Sequence, residues 1–233
     1  MRTRVHSVVA SMLLSGTIVC GAAALPIPAR AQALSGQLTI LEKDGSRSSD
    51  LANAVIWLEP ASGTAPVPRV TAQIAMEGKQ FVPHVEVVTV GSTVAYPNHD
   101  PFRHNVFSKS GPTEFDLDLY GRGQSRQFQF ERAGVYPIFC NIHARMVAYV
   151  VAVSSPWNAR PGADGRFEFA GVAAGSYTLR IWHERGGQSS RPLTLPSDGT
   201  APLQVQLDAR TYRVAQHTNK FGSKYTITGS ERY

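Results

Sequence analysis

Three side chains with metal-binding chemistry stand close together near the middle of the sequence: Cys140, His143 and Met146. Cys140 is one of two cysteines, and the other, Cys20, lies in a stretch that we expect to be removed on export. In an oxidising compartment a single remaining thiol has no disulfide partner within its own chain. We therefore expect Cys140 either to be buried and inert or to be held by a metal ion.

The first 31 residues have the pattern of a secretory signal peptide. Arg2 and Arg4 precede a mostly apolar stretch over residues 8–25, and Ala-Arg-Ala at residues 29–31 fits the small-x-small rule for cleavage. Cleavage is expected after Ala31, with Ala33 as a second candidate. The alternative is an uncleaved anchor helix, but the apolar stretch is barely long enough to span a bilayer. We expect export to the periplasm and no membrane span after cleavage.

Charge gives little support to nucleic-acid binding. The 233 residues carry a net charge of +6, and three of the basic residues (Arg2, Arg4 and Arg30) fall in the predicted signal peptide, which has no acidic residue. The remainder has 20 basic against 17 acidic residues, a net +3. Because nucleic-acid binding needs a strongly basic surface, we expect no nucleic-acid partner. A hydrophobic content of 42% is enough for a folded core.

The elements that must position Cys140 have the pattern of an all-β protein. Helical periodicity is nearly absent, and short apolar or alternating runs are separated by Gly, Pro, Asn and Asp. The residues at 61–68 and 156–162 are predicted connectors, and residues 209–233 form a polar tail. The predicted strands are Gln37–Leu41, Ala54–Leu58, Thr71–Met76, Val85–Val90, Thr93–Pro97, His104–Phe107, Gln124–Phe130, Gly134–Phe139, Ala148–Ser154, Arg166–Phe169, Gly175–His183 and Leu203–Leu207.

Residues 66–155 resemble a cupredoxin, the family of small blue copper proteins that includes plastocyanin and amicyanin. The Cys-x-x-His-x-x-Met spacing is that of the short ligand loop in amicyanin-like members. The residues that carry the resemblance are Phe81, Pro83, Val90, Gly91, Val94, Asn98, Asp100, His104, Asn105 and Val106 in the first half, and Gly134, Tyr136, Cys140, His143 and Met146 in the second. The resemblance implies a Greek-key β-sandwich.

The resemblance also implies one type 1 copper ion per chain, bound by four ligands: His104, Cys140, His143 and Met146. Two imidazoles, one thiolate and a weak thioether form the blue-copper donor set. Each of these residues, taken alone, is more often a core or surface side chain than a ligand. Asn105 is expected to tie the two ligand segments together by hydrogen bonds. The loop departs from the family at Ile142 and Ala144, where prolines often stand, and at Ala148, where Gly is frequent.

The remaining histidines have no ligand position in that family. We expect His84 and His99 to face solvent and His183 to be structural, while His217 carries no interpretable signal. The two arginines beside the expected ligands, Arg103 and Arg145, predict a positive rim that favours an acidic partner face. Ordinary solvated charge is the equally open alternative.

The flanking sequence resembles the carboxypeptidase regulatory-like, transthyretin-like β-sandwich. The resemblance is carried by residues 165–184, GRFEFAGVAAGSYTLRIWHE, and by the early strands over residues 34–65. One interpretation is a second small sandwich divided between residues 34–65 and 156–208, with the cupredoxin inserted. The other is an N-terminal extension followed by a separate C-terminal domain. Neither implies peptidase activity.

These features favour an exported one-electron carrier over other classes. By the family resemblance, the edge of His143, framed by Phe102 and Pro101, is the expected electron port. The expected donor is a dehydrogenase and the expected acceptor a c-type cytochrome. The alternatives are a copper delivery or storage protein without redox turnover and an envelope scaffold. An enzyme is not expected, since the sequence shows no second copper site and no substrate-pocket motif.

Overall fold

The computed structural model describes residues 31–196, 201–213 and 217–225. In these ranges the chain is all-β, with one short 3-10 helix at Leu51–Asn53, so the predicted fold class is confirmed. Residues 1–30 lie outside the described ranges, and the signal peptide therefore stays a prediction. No helix in the described part of the chain is long and apolar enough to cross a membrane.

The described residues form seventeen strands, which we number in chain order. They are β1 (Gln32–Leu41), β2 (Val55–Pro60), β3 (Thr71–Gln73), β4 (Ala75–Glu77), β5 (Gln80–Val82), β6 (Val85–Thr89), β7 (Ser92–Pro97), β8 (His104–Ser108), β9 (Phe115–Tyr120), β10 (Ser125–Phe130), β11 (Gly134–Phe139), β12 (Val147–Val153), β13 (Asn158–Ala159), β14 (Arg166–Val172), β15 (Gly175–His183), β16 (Gly187–Leu195) and β17 (Leu203–Asp208).

Two features of this strand list differ from the sequence prediction. The expected single strand Thr71–Met76 is wrong: it divides at Ile74 into β3, which pairs with β7, and β4, which pairs with β5. Strands β5, β9, β13 and β16 were not predicted. β16 is an exposed edge strand that contains Pro192, and a polar, proline-containing edge carries little alternation in its sequence.

The first sandwich contains the residues expected to hold the metal. Its sheets have the strand orders β10-β7-β3 and β6-β12-β11-β8-β9, with the small β4-β5 hairpin beside them. Alternate side chains of these strands point inward and form one apolar core, which includes Phe130, Tyr136, Ile138, Cys140 and Met146. Cys140 and Met146 therefore sit at the edge between a packed core and the loop that joins β11 to β12.

A second, smaller sandwich contains strands from both ends of the chain. β1 pairs antiparallel with β14 and parallel with β17, and β2 pairs antiparallel with β15. Both sheets, β14-β1-β17 and β13-β2-β15-β16, contribute to a separate core that includes Leu38, Ile56, Phe167 and Leu179. This pairing joins residues before and after the first sandwich, as the divided arrangement requires. The domain boundaries themselves stay a prediction.

The two sandwiches are joined by an apolar contact with a polar margin. Trp57 and Trp182, from β2 and β15, share a buried cluster with Val85, Val151 and Val153 of β6 and β12. Removing such large side chains from water is the main source of stability at this kind of contact.

At the margin of this contact His84 is paired with an acid from the second sandwich. Its Nε2 lies 2.7 Å from Glu184 Oε2, and the Tyr149 hydroxyl donates to Glu184 Oε1 at 3.0 Å. The expectation that His84 faces solvent is therefore wrong, because its partner is distant in sequence and becomes adjacent only when the sandwiches meet. The pKa of His84 is raised, chiefly by the hydrogen bond to Glu184, while burial opposes the rise.

We expect His84→Gln to lower stability more at pH 5.5 than at pH 8.5. A histidine whose pKa is raised by folding contributes its full stabilisation when the pH lies below its pKa in the unfolded chain, which is about 6.5. This stabilisation is lost as the pH rises through its pKa in the folded protein. The measurement is the free energy of unfolding by denaturant at both pH values, with His99→Gln at an exposed position as the control. An equal loss at the two pH values would contradict an ionic role for His84.

Candidate metal centre

Three donor side chains meet where two neighbouring strands of the first sandwich end. His104 is the first residue of β8, Cys140 directly follows β11, and His143 lies in the loop between β11 and β12. β8 and β11 are adjacent in the sheet and pair at Phe107 and Phe139, so the start of β8 lies beside the end of β11. The sheet thus brings together residues 36 positions or more apart in the sequence.

The donor atoms are as close as ligands of one metal ion. His104 Nδ1 and His143 Nδ1 are 3.0 Å apart, and Cys140 Sγ lies 3.8 Å and 3.5 Å from them. A metal bound at about 2.0 Å from nitrogen and 2.3 Å from sulfur spaces trigonal or tetrahedral donors about 3.3–3.7 Å apart. The three donors are the one such group of His, Cys, Asp and Glu side chains found in the described ranges. The donor set therefore fits a single metal ion.

The loop that carries Cys140 and His143 is closed by its own backbone. The Cys140 amide donates to the Met146 carbonyl at 3.3 Å, and the Met146 amide donates to the His143 carbonyl at 3.0 Å. These bonds make a tight turn that ends as β12 begins. Met146 is buried in the same apolar core as Cys140, and its role as a ligand stays a prediction.

Asp100 orients the imidazole of His104. Its Oδ2 lies 2.8 Å from His104 Nε2, and the carboxylate also accepts the amides of Gly78 at 2.7 Å and Lys79 at 2.9 Å. A carboxylate at Nε2 keeps the proton of a neutral imidazole there, which leaves the Nδ1 lone pair free for a metal. Asp100 was among the residues that carry the resemblance, but no local pattern predicts its contact with His104, since residues 100–103 form no helix.

Both histidines are kept neutral at the site. Burial lowers the pKa of His143 to about 4, and its proximity to the His104 imidazole and the Lys79 ammonium acts in the same direction. Burial also lowers the pKa of His104, while its hydrogen bond to Asp100 opposes that change. A neutral imidazole is the form that can bind a metal.

Asn105 does not tie the ligand segments together in the expected way. Its amide donates to Asp116 Oδ1 at 2.7 Å in β9, rather than to the loop that holds Cys140. The carboxylate of Asp116 is itself engaged by Lys220, a residue of the C-terminal tail. The resemblance therefore identified a residue of the hydrogen-bond network but not its partner, because that partner lies in β9, a strand that was not predicted.

The rim of the site combines exposed apolar side chains with positive charge. Phe102 covers both histidines, with ring-centroid distances of 5.1 Å to His104 and 5.6 Å to His143. Ile142 is exposed next to His143. Arg103 and Arg145 are both exposed, and the Lys79 ammonium lies 5.5 Å from the Phe102 ring, a third positive charge that sequence analysis missed.

Comparisons with solved structures find copper proteins among the similar chains, each over part of this chain. A Cu-containing nitrite reductase from Thermus scotoductus SA-01 is 26% identical over 41% of this chain, with a TM-score of 0.35. A purple cupredoxin from Nitrosopumilus maritimus is 26% identical over 35% (TM-score 0.32), and amicyanin from Paracoccus versutus is 24% identical over 42% (TM-score 0.34).

The shared portions of those proteins differ in extent. The match spans 25% of the nitrite reductase chain, 99% of the purple cupredoxin and 97% of the amicyanin. A scan against protein-family models and a search of the curated proteins give no match. Because all three TM-scores lie below 0.5, the function is argued from the donor geometry described above.

We expect Asp100→Ala to weaken Cu(I) binding about 10- to 100-fold, the usual cost of losing a partner that orients a metal-bound histidine. Asp100→Asn keeps an oxygen acceptor and is expected to lose less. The measurement is competition for Cu(I) against a chromogenic chelator. Wild-type affinity in Asp100→Ala would show that the His104 ring is positioned without this contact.

Proposed function

We propose that the protein is a periplasmic blue copper protein that carries single electrons between redox partners. The observation that carries the proposal is the convergence of Cys140 Sγ and the Nδ1 atoms of His104 and His143 within 3.0–3.8 Å. A thiolate with two imidazoles is a borderline-soft donor set that favours copper or zinc over Mg²⁺ or Ca²⁺. The thioether of Met146, which follows in the same loop, favours copper, since zinc sites rarely use methionine.

Copper in this donor set supplies one-electron exchange between its +1 and +2 states. The protein's part is to hold the donors in one arrangement for both states. His104 is locked by Asp100, and the Cys140 loop is closed by backbone hydrogen bonds to Met146. A site that does not rearrange when the charge changes adds little to the barrier for electron transfer.

The surroundings of the donors exclude water from the thiol side and leave one side approachable. Cys140 and His104 are fully buried, whereas His143 is half-buried beside the exposed ring of Phe102. We propose the His143 side as the electron port. The apolar surface of Phe102 and Ile142 suits close contact with another protein, and a small patch of this kind suits the brief encounters of redox proteins.

The charges around this port favour an acidic redox partner. Lys79, Arg103 and Arg145 lie around or beside the ligands, and such a positive rim speeds encounter with a negative surface at low ionic strength. A dehydrogenase as donor and a c-type cytochrome as acceptor are the partners that we propose. The chain is proposed to be a carrier and not an enzyme.

The first experiment is a visible and EPR titration of the chain from Gln32 with Cu(II). We expect an intense blue band from thiolate-to-copper charge transfer, saturating at one copper per chain, and its loss in Cys140→Ser with the fold retained by circular dichroism. Reversible voltammetry then separates a carrier from a delivery or storage protein. A colourless complex, or an unchanged spectrum in Cys140→Ser, would contradict the proposal and favour delivery, storage or an envelope scaffold.

Met146→Leu tests the proposed axial ligand. A weak thioether tunes the copper without anchoring it, so we expect copper to stay bound and the reduction potential to shift. The measurements are copper content by elemental analysis and the potential by voltammetry. Complete loss of copper would show that Met146 is an essential ligand, and an unchanged potential would show that it is not a ligand.

A further inference from the structure

Residues 217–225 of the C-terminal tail, which we call the strap, lie against the loop that carries Cys140 and His143. The His217 ring stacks on Phe139 with centroids 4.1 Å apart, and its Nε2 lies 2.8 Å from the Ala144 carbonyl oxygen. Sequence analysis found no pattern of burial in the tail. The strap is nevertheless half-buried at His217, and no local sequence pattern shows this because its contacts are with a ring and a carbonyl oxygen from a distant part of the chain.

The far end of the strap reaches the thiol residue itself. The Tyr225 hydroxyl donates to the backbone carbonyl of Cys140 at 2.9 Å, and the Tyr225 ring packs edge-on against His217 at 5.1 Å. The two aromatic residues thus hold opposite ends of the loop, at Cys140 and at Ala144. His143 lies between these two attachment points.

The middle of the strap connects the loop to β9, which pairs with β8, the strand that carries the other histidine. The Lys220 amide donates to Asn141 Oδ1 at 2.9 Å, and its ammonium lies 2.6 Å from Asp116 Oδ2. Asp116 accepts the Asn105 amide through its other oxygen, and Asn105 directly follows His104. A continuous path of polar contacts therefore runs from the His104 segment to the Cys140 segment through Lys220.

We propose that the strap positions the metal ligands, with Lys220 joining the two ligand segments and Tyr225 fixing the backbone of Cys140. This inference rests on the proposed copper centre for its functional meaning, but its structural content concerns the protein alone. Lys220 and Tyr225 are positioning residues: they contact the ligand-bearing backbone and side chains near it, and they supply no ligand. The strap performs the tying role that the resemblance had assigned to Asn105.

The electrostatic consequence of the strap is a bias towards reduced copper. The Lys220 ammonium offsets the negative charges of Asp116 and Asp118, which would otherwise favour the more positive oxidised state. The strap also covers the loop from water, which disfavours the oxidised state in the same way. An ion pair contributes little to stability when both side chains are exposed. The Lys220 side chain, however, is mostly buried against β9 and the ligand loop. Removing either contact is therefore expected to lower the reduction potential.

The first test uses the metal-free protein and needs no copper. Alkylation of the Cys140 thiol is followed by mass spectrometry of its peptide in Lys220→Met and Tyr225→Phe. Lys220→Met loses the ion pairs of the ammonium with Asp116 and Asp118, and Tyr225→Phe loses the hydrogen bond to the Cys140 carbonyl. We expect the rate to rise about fivefold or more in each, the change in open-loop population expected from at least one net hydrogen bond. The matched controls are Lys224→Met, an exposed lysine of the strap, and Tyr212→Phe, whose hydroxyl faces Glu184 and not the loop.

The second test uses the copper-loaded protein. The two strap variants are expected to release Cu(I) to a chelator faster than wild type and to have lower reduction potentials, while the controls match wild type. Variants that match their controls in alkylation, release and potential would overturn the proposal. If wild type forms no blue complex, the proposed function fails, and the alkylation rates alone still decide whether the strap holds the loop.

Discussion

Two neutral imidazoles and a thiol face one another at 3.0–3.8 Å in the core of the first sandwich, and the rest of that sandwich maintains this contact. Lone pairs of His104 and His143 that point at each other repel unless a proton or a metal ion lies between them. Burial keeps both imidazoles neutral, and Asp100 fixes the tautomer of His104. The arrangement therefore favours a cation between donors that are fully buried at Cys140 and His104 and half-buried at His143.

The sheet supplies the rigidity that this contact needs. β8 and β11 are neighbours within a five-stranded sheet, so His104 and Cys140 cannot separate without breaking strand pairing. The loop from Cys140 to Met146 is held within itself by two backbone hydrogen bonds, and from outside by the strap. Rigidity from three independent sources is consistent with a site whose geometry must survive a change of charge.

The second sandwich contacts the first along β6 and β12. Trp57 and Trp182 pack on the outer face of the same sheet whose inner face carries the core around Cys140. At the margin of this contact, Glu184 of the second sandwich bonds to His84 and Tyr149 of the first. These bonds fix where one sandwich lies along the surface of the other. The second sandwich therefore supports the sheet beneath the site. In the sequence, its strands lie both before and after the residues of the first sandwich.

The sequence by itself determined the residue types that matter and the class of fold. Short alternating runs predicted most strands, because alternation reports which face of a strand is buried, and the spacing of Cys140, His143 and Met146 predicted one ligand loop. Tertiary structure decided the partners. Glu184 for His84, and Lys220 and Tyr225 for the ligand loop, are contacts between segments far apart in the chain, and Asp116 for Asn105 is a contact between two paired strands. The sequence does not show which partner a polar side chain will bond, because folding must first bring that partner within hydrogen-bonding distance. An apolar side chain needs no specific partner, since burial anywhere in the core is enough.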